Sequence, residues 1–207
     1  PASFVSLRAD YVSNIGVSGI AGGGGFISLG AAVAVINDVT TVSAVLGGGV
    51  DADGAPTAGS VGLVADGFSD IDVDADADVE YDLSTAFVSA GPGLSLGAGI
   101  VVGKADVDVT AAVGENARIG TTGLGVGDLR VAADRIVDIG PRAVTLGGIT
   151  FTPPMVAGVS AGLAAVNAGF GFVGVAGDVR APIADGAEVR VSGDVDVRAA
   201  SDAALMI

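Results

Sequence analysis

Acidic and apolar side chains alternate along one segment of the 207-residue chain. Carboxylate oxygens are the ligands that calcium prefers in proteins, and carboxylates in a row repel one another unless cations or arginines lie between them. We therefore treat the first five acids as a candidate calcium face, and two more follow them: Asp70, Asp72, Asp74, Asp76 and Asp78, then Glu80 and Asp82. The Gly-Gly-x-Gly-x-Asp nonapeptide and the EF-hand loop, two common calcium motifs, are both missing. The alternative interpretation is a solvated face that keeps the protein soluble.

Other residue types that carry chemistry are scarce. The chain has no Cys, no His and no Trp, and its single lysine is Lys104. The usual nucleophiles, imidazole bases and soft metal ligands are therefore missing, so we expect no enzyme activity and no cofactor other than calcium. The run Gly22 to Gly25 lacks the Gly-Lys-Ser/Thr of a phosphate-binding loop and predicts a turn instead. The net charge of −15 repels nucleic acid and anionic lipid, so neither is an expected partner.

The alternation over residues 70–83 has a period of two. This is the period of a β-strand with one buried and one solvent-exposed face. Shorter copies of the same pattern occur at 105–111, 188–192 and 194–198. Because Asp is also a poor helix former, the sequence predicts an all-β protein.

Three uncharged stretches are rich in Gly, Ala and Val: residues 11–37, 83–103 and 143–177. Their composition fits strands that are apolar on both faces. Their length also suits membrane helices, but a glycine run interrupts the first stretch and Pro153-Pro154 interrupts the third. A membrane-inserted β-segment or pore is therefore kept only as a third alternative.

Two short patterns recur along the chain. One is an alternating apolar triplet, with copies at Val5-x-Leu7-x-Ala9, Val61-x-Leu63-x-Ala65, Leu129-x-Val131-x-Ala133 and Val195-x-Val197-x-Ala199. The other matches 28–33 with 95–100, and 44–47 with 111–114, at the same offset of 67, with a looser third copy at 160–167. We therefore expect one continuous β-structure in which 1–10 ends a preceding repeat and three units follow: 11–70, 71–140 and 141–207.

A unit of about 67 residues could divide into three coils of about 22, a plausible size for one turn of a parallel β-solenoid. Small core residues and turn-forming Gly, Asn and Asp are what closely stacked coils require. The acidic strand, however, is longer than the strands of most solenoids. An elongated antiparallel β-sandwich is therefore the alternative fold.

The amino-acid sequence of the repeats resembles the repeat region of large bacterial filamentous adhesins, the haemagglutinin-like and leukotoxin-like surface proteins. The segments that carry the resemblance are 29–37, 40–44, 115–119, 185–189 and 193–199. The resemblance implies an extracellular β-solenoid rod that is secreted as part of a longer chain. It transfers no functional residue, because such spacer repeats have none.

The first functional hypothesis is therefore a structural module of a cell-surface filament or adhesin that self-associates end to end, with copies of itself or adjacent repeats as partners. The second is a surface module that binds calcium, a glycan or a receptor. For a glycan, the candidate stacking pair is Phe170-Gly171-Phe172, which is also compatible with an ordinary strand that contains a closely packed glycine.

Overall fold

The computed structural model describes residues 3–48, 62–63, 68–120, 125–141, 144–146, 149–151 and 155–206. Within these ranges all regular secondary structure is β-strand, which confirms the all-β prediction. The strands are β1 (Ser3–Gly24), β2 (Ile27–Leu46), β3 (Gly62–Leu63), β4 (Phe68–Ala90), β5 (Leu94–Val113), β6 (Arg118–Ile119), β7 (Asp128–Gly140), β8 (Val144–Leu146), β9 (Ile149–Phe151), β10 (Val156–Ala161), β11 (Ala164–Ala176), β12 (Val179–Arg180), β13 (Glu188–Val189) and β14 (Val195–Leu205).

The strands form three parallel sheets. The first sheet contains β1, β4, β7 and β14 in this order, with β10 also beside β4. The second contains β2, β5 and β11, with β12 also beside β5, and the third contains β3, β6 and β13. Every strand pairing in these three sheets is parallel, and β8 with β9 forms the one antiparallel pair among the described strands. The antiparallel sandwich is therefore wrong for this part of the chain, because alternation predicts a strand but not its direction.

Strands pair with strands that lie about one repeat away along the chain. The chain passes from the first sheet to the second and the third, and then returns to the first beside the strand it left. The expected coil of about 22 residues is wrong. The four long strands β1, β2, β4 and β5 contain 20 to 23 residues each, so one strand alone takes up that length.

The hydrophobic core lies between the first and second sheets. Alternate residues of β4 point into it, and none of them is more than 3% exposed: Ile71, Val73, Ala75, Ala77, Val79, Tyr81 and Leu83. From β5, the residues Val101, Ala105, Val107 and Val109 are fully buried in the same core. The intervening acids of β4 stay partly or fully exposed, as the period of two predicts.

The repeat pattern that begins at Ser28 is confirmed residue by residue. Residues 28–33 lie opposite 95–100, and 44–46 lie opposite 111–113. The buried Ser28 Oγ is 3.0 Å from Ser95 Oγ and 2.7 Å from Ser89 Oγ, so these hydroxyls satisfy one another. The looser copy at 160–167 is misplaced by five residues, because Ala165 rather than Ser160 lies opposite Ser95.

The alternating apolar triplet is confirmed in three of its four copies. We call a set of residues that lie opposite one another across a sheet a column, and Val5, Leu129 and Val195 share a column of the first sheet. The copy at Val61 does not belong there, because β4 places Ile71 in this column and Leu63 pairs in the third sheet. An alternating row of small apolar residues fits any inward face. The sequence pattern therefore could not tell whether this copy lies in the first sheet or in the third.

The glycine run from Gly22, which predicts a turn, lies mainly in β1, and only its last residue, Gly25, belongs to the turn. The strand continues through Gly24, and the chain reverses at Gly25 and Phe26 before β2 begins. Gly25 has a φ of 129°, a conformation that L side chains rarely adopt. Pro153 and Pro154, which interrupt the third uncharged stretch of the sequence, lie outside the described residues.

Phe87, like Tyr81, is a large aromatic side chain that is buried, and it is 2% exposed. Its ring occupies space left by glycines of two neighbouring strands, Gly97 on β5 and Gly158 on β10. A Cβ at either glycine would overlap ring atoms of Phe87. These two glycines are therefore required for packing and not for flexibility.

The substitution Gly158→Ala is expected to lower the free energy of unfolding by about 2 kcal/mol, because the added methyl group displaces the Phe87 ring. Gly171→Ala is the matched control, since a Cβ there has no atom within 4 Å. Urea unfolding followed by circular dichroism measures both. Equal stability of the two variants would show that the glycines do not shape the Phe87 site.

Candidate functional site

The five candidate calcium ligands share the outer face of β4, which lies between β1 and β7 in the first sheet. They run from Asp70 to Asp78 at alternate positions, with neighbours on the same strand about 7 Å apart. Asp78 is exposed, but the other four are partly buried, with the side chain of Asp74 14% exposed and that of Asp76 32% exposed. The adjacent strands therefore decide the electrostatics of this surface, which we call the acidic face.

Arginines of the neighbouring strands neutralise part of the acidic face. Arg8 of β1 bonds Asp76 at 3.1 Å, and Arg130 of β7 lies 3.5 Å from Asp74. Arg198 of β14 pairs with Asp134 of β7 in the same way. Each of these pairs joins two strands of the sheet, so the face carries cross-strand ion pairs among its acids.

Asp70 has a structural role at the start of the row. Its Oδ1 accepts a hydrogen bond from the backbone N–H of Asp128 at 3.2 Å, and Asp128 Oδ1 accepts one from the N–H of Asp194 at 2.8 Å. The same arrangement occurs once in the second sheet, where Asp108 Oδ1 accepts from the N–H of Asp178 at 2.7 Å. These carboxylates hold the first residues of successive strands in register.

Asp76 has a carboxylate beside it on each neighbouring strand. Asp10 of β1 and Asp134 of β7 lie directly opposite it, so three carboxylates share one column. Partial burial, and then the charge of Asp74, raise the pKa of Asp76 above its ordinary value, although Arg8 opposes the shift. A cavity of about 420 Å³ adjoins this column, with Asp134, Arg198 and Asp202 in its lining.

This geometry does not assemble a metal centre within the described residues, where no group of three or more acidic side chains is placed to hold an ion. Asp70 is engaged with a backbone N–H, and Asp74 and Asp76 have arginine partners. Calcium binding by the five acids stays a prediction.

A second polar cluster, which sequence reasoning missed, lies between the sheets. Asp38 of β2 accepts hydrogen bonds on Oδ2 from Tyr81 of β4 and, at 3.1 Å, from Tyr11 of β1. Its Oδ1 accepts one from Thr40 at 2.7 Å. The cluster connects one strand of the second sheet to two strands of the first.

The three hydroxyl donors keep Asp38 ionised. Burial alone would raise its pKa, but the hydrogen bonds from Tyr81, Thr40 and Tyr11 outweigh burial, so the pKa is lowered. Burial, and then the bond to Asp38, raise the pKa of Tyr81 well above its ordinary value. The cluster therefore holds Asp38 as a carboxylate and Tyr81 as a neutral phenol at neutral pH.

Arg135 of β7 is a charged residue that points into the core, and it is 8% exposed. Its Nη1 donates to the carbonyl oxygens of Val107 and Ala176, both at 2.8 Å. Its Nε and Nη2 donate to Ser201 Oγ at 3.1 and 3.0 Å. None of the ion pairs between described residues involves Arg135. Its guanidinium donates only to uncharged oxygen atoms, and these hydrogen bonds connect β7 to the second sheet and to β14.

The sequence does contain a signal for the two inward-facing charged residues, Asp38 and Arg135. Asp38 interrupts an alternating apolar row between Ile36 and Val42, and Arg135 interrupts the row between Ala133 and Val137. A charged residue at an inward position of a strand needs polar partners from the facing sheet. The identity of those partners depends on the sheet stacking, which the sequence pattern does not contain.

The Phe170-Gly171-Phe172 segment lies in β11, and both rings are exposed on its outer face, at 60% and 54%. The space beside Gly171 is open, so this glycine is not closely packed. The exposed rings are compatible with the predicted stacking pair, and glycan binding stays a prediction.

Neither a protein-family model nor a curated protein or a solved structure matches the chain. In the part of the chain that the structure describes, no helix has the length and apolar character needed to cross a membrane. The function must therefore be inferred from the sheets, their faces and their edges.

The substitution Asp76→Asn is expected to raise the free energy of unfolding at pH 7 by about 0.5 kcal/mol, because it removes the partial burial of a charge and its repulsion from Asp74, Asp134 and Asp10. The raised pKa of Asp76 means that the native protein binds this proton more tightly than the unfolded chain. The charge is therefore destabilising above that pKa, and the advantage of the variant should disappear as the pH falls below about 3.

Asp78→Asn is the matched control, because the residues opposite Asp78 are the uncharged Val12 and Ile136. Urea unfolding at pH 7 and at low pH compares the variants. A loss of stability in Asp76→Asn but not in Asp78→Asn would contradict the repulsion and indicate that the pair with Arg8 dominates.

The substitution Asp38→Asn is expected to lower the free energy of unfolding at pH 7 by about 1 to 2 kcal/mol, because it weakens hydrogen bonds to a buried charge. The lowered pKa of Asp38 gives a stabilisation that is present above the unfolded-state pKa of about 4 and is lost as the pH falls through the folded-state value. The difference from the wild type should therefore shrink below pH 4 in urea unfolding. A difference that stays constant from pH 7 to pH 2 would mean that ionisation of Asp38 is not its cause.

Proposed function

We propose that this chain is a structural repeat module of an extracellular bacterial filament or adhesin. In this proposal the repeats form a parallel β-solenoid, and each repeat adds one strand to each of the three parallel sheets. The module acts through stiffness and length and not through catalysis. Its partners are copies of itself or adjacent repeats.

The observation that carries the proposal is the one-repeat spacing of the parallel pairs. Bonded partners in adjacent strands are 67 residues apart at Ser28 and Ser95, and 66 apart at Asp128 and Asp194. A strand therefore contacts mainly the equivalent strands of neighbouring repeats. Such an array can be lengthened by further repeats without any change in its core.

The edges of the first sheet support assembly from end to end. Among the described strands β1 and β14 are the outermost of this sheet, so each has one side with backbone N–H and C=O groups that no other described strand pairs. On β14, Val195 and Val197 are 48% and 45% exposed. Their column neighbours on β7, Leu129 and Val131, are fully buried. These inward-facing valines of β14 are therefore half exposed at the edge of the sheet. Pairing of a further strand with β14 would bury them, which favours such an addition.

The proposed extracellular location and the proposed role in an adhesin rest on the resemblance of the repeat sequences to those of filamentous adhesins. The absence of Cys and the net charge of −15 are compatible with a soluble secreted rod. The acidic face then serves to keep neighbouring rods apart in solution.

Negative-stain electron microscopy of the purified chain in detergent-free buffer tests the assembly, and we expect uniform filaments. Val197→Lys places a charge in the half-exposed core row of β14 and should reduce filament length and number at least tenfold. Ile136→Lys is the matched control, since Ile136 is 54% exposed on β7 and not at an edge. Circular dichroism confirms that each variant is folded.

Compact single particles of the folded wild type at all concentrations would overturn the self-assembly. Each preparation is also imaged with calcium and with chelator. Filaments that persist in chelator support assembly by strand addition alone, whereas their loss would make the acidic face a calcium site that assembly requires.

A further inference from the structure

Two charged side chains that point into the core lie near opposite ends of the stack of strands. We call the strands at the same height of the stack a level: β1 with β2 is the first level, β4 with β5 the second, β7 and β10 with β11 and β12 the third, and β14 begins the fourth. Asp38 belongs to the first level and Arg135 to the third. No ion pair between described residues involves either of them.

The columns of Asp38 and Arg135 face each other across the core. Tyr11 shares a column with Arg135, and its hydroxyl donates a hydrogen bond to Asp38. Arg135 in turn donates to the carbonyl oxygen of Ala176, the residue next to Val175 in the column of Asp38. Within one chain the two charges are two levels apart, which is about 10 Å at the usual strand spacing.

The end of the stack at the fourth level is stepped. β14 pairs with β7 from Val195 to Leu205, but no described strand pairs with the outer side of β10 or β11. The six residues of β10 and the thirteen of β11 therefore have one side with unpaired backbone groups. The opposite end is flat, because β1 and β2 extend along nearly the whole of β4 and β5.

The strand β14 and residues 5–15 of β1 hold equivalent positions in the first sheet. Val195 shares a column with Val5, and Leu205 shares one with Ile15. The two segments also carry similar inward triplets, Val5, Leu7 and Ala9 in β1 and Val195, Val197 and Ala199 in β14. β14 of one copy can therefore take the place of residues 5–15 beside β4 of a second copy.

This exchange joins the stepped end of one copy to the flat end of the next without a gap. Residues 19–24 of the second copy then lie opposite β10 of the first, and residues 27–39 of the second lie opposite β11. Stacking of an intact second copy on β14 would instead leave the second sheet without a described strand at the fourth level.

The exchange also brings the two charges together. β2 of the second copy forms the fourth level of the first, so its Asp38 lies one level from Arg135 and in the facing column. Ser201 replaces Tyr11 at that level, and its hydroxyl already accepts hydrogen bonds from Arg135. Tyr81 of the second copy keeps its bond to Asp38. An inward arginine near one end and an inward aspartate at the other thus select a second copy of this chain as the partner.

We propose that copies of this chain join head to tail by strand exchange, in which β14 of one copy replaces residues 5–15 of the next and Arg135 of the first pairs with Asp38 of the second. The inference rests on the proposed filament and specifies how its copies connect. Because each joint repeats the same head-to-tail contact, the assembly stays open and grows as a fibre.

The outward side chains make the joint sensitive to salt. Asp196 and Asp202 of β14 come beside Asp72 and Asp78 of the next copy, so exposed carboxylates meet across the joint. The experiments are therefore done in about 0.3 M salt, which screens exposed charges more than buried ones.

A disulfide between β1 and β4 tests the exchange, because the chain has no cysteine of its own. Val12→Cys and Asp78→Cys place two thiols opposite each other on adjacent strands, and their bond prevents the release of residues 5–15. The disulfide is closed at low protein concentration and confirmed by mass spectrometry. Electron microscopy should then show at least tenfold fewer filaments for the oxidised protein than for the same protein after reduction.

Asp78→Cys with Ile136→Cys is the matched control. It uses the same column but joins β4 to β7, which stay paired in the exchange, so oxidation should not change the number of filaments. Circular dichroism confirms that each variant is folded in both redox states.

Arg135→Gln and Asp38→Asn, alone and together, test the ion pair between copies. Each should raise the protein concentration at which filaments sediment at least tenfold, and the double variant should raise it by less than the product of the two single effects. Within one chain the two residues are two levels apart, so their effects on the free energy of unfolding in urea should add.

Equal numbers of filaments from the oxidised and reduced forms of the Val12→Cys, Asp78→Cys protein would overturn the strand exchange and leave the proposed filament in place. Independent effects of Arg135→Gln and Asp38→Asn on filament formation would overturn the ion pair. Single particles of the folded wild type at all concentrations would refute the proposed filament itself, and the joint with it.

Discussion

The parallel pairing of strands about one repeat apart is the constraint on which the rest of the structure depends. It places equivalent residues in columns, so each side chain touches its own counterpart on the next strand. Ser28 and Ser95 can share a column because hydroxyls donate and accept. Most inward columns are filled by Val, Ala, Ile and Leu, because stacked large side chains would overfill the space between the sheets.

The exceptions inside the core follow from the same constraint. Tyr11, Ala77, Arg135 and Ser201 share one column of the first sheet, where large and small residues alternate. Asp38 has Ala105 beside it in the second sheet. A bulky or charged group is thus accommodated where the next strand supplies a small residue. It is also stabilised only where the facing sheet supplies polar partners, as the carbonyl oxygen of Val107 does for Arg135.

Outside the core, stacking brings like charges together as readily as like apolar groups. Asp76 shows the cost, since partial burial and the charge of Asp74, and then those of its column partners Asp134 and Asp10, raise its pKa. Arginines on adjacent strands reduce that cost, and aspartates such as Asp70 are used to fix the start of the next strand. The uncharged segments 27–35, 94–102 and 164–172, by contrast, align side by side in the second sheet, where stacking brings apolar side chains together on its outer face.

The sequence by itself determined the strand content, the inward and outward alternation of β4, and the match between 28–33 and 95–100, because these depend on local period and on direct similarity between repeats. The calcium ligands and the filament role remain predictions from composition and resemblance. Only the tertiary structure decided that the sheets are parallel, that Ile71 shares a column with Val5, and that Asp38 and Arg135 have partners across the core. Those outcomes depend on which strands lie side by side and face to face, and an alternating pattern of small residues fits many such arrangements equally well.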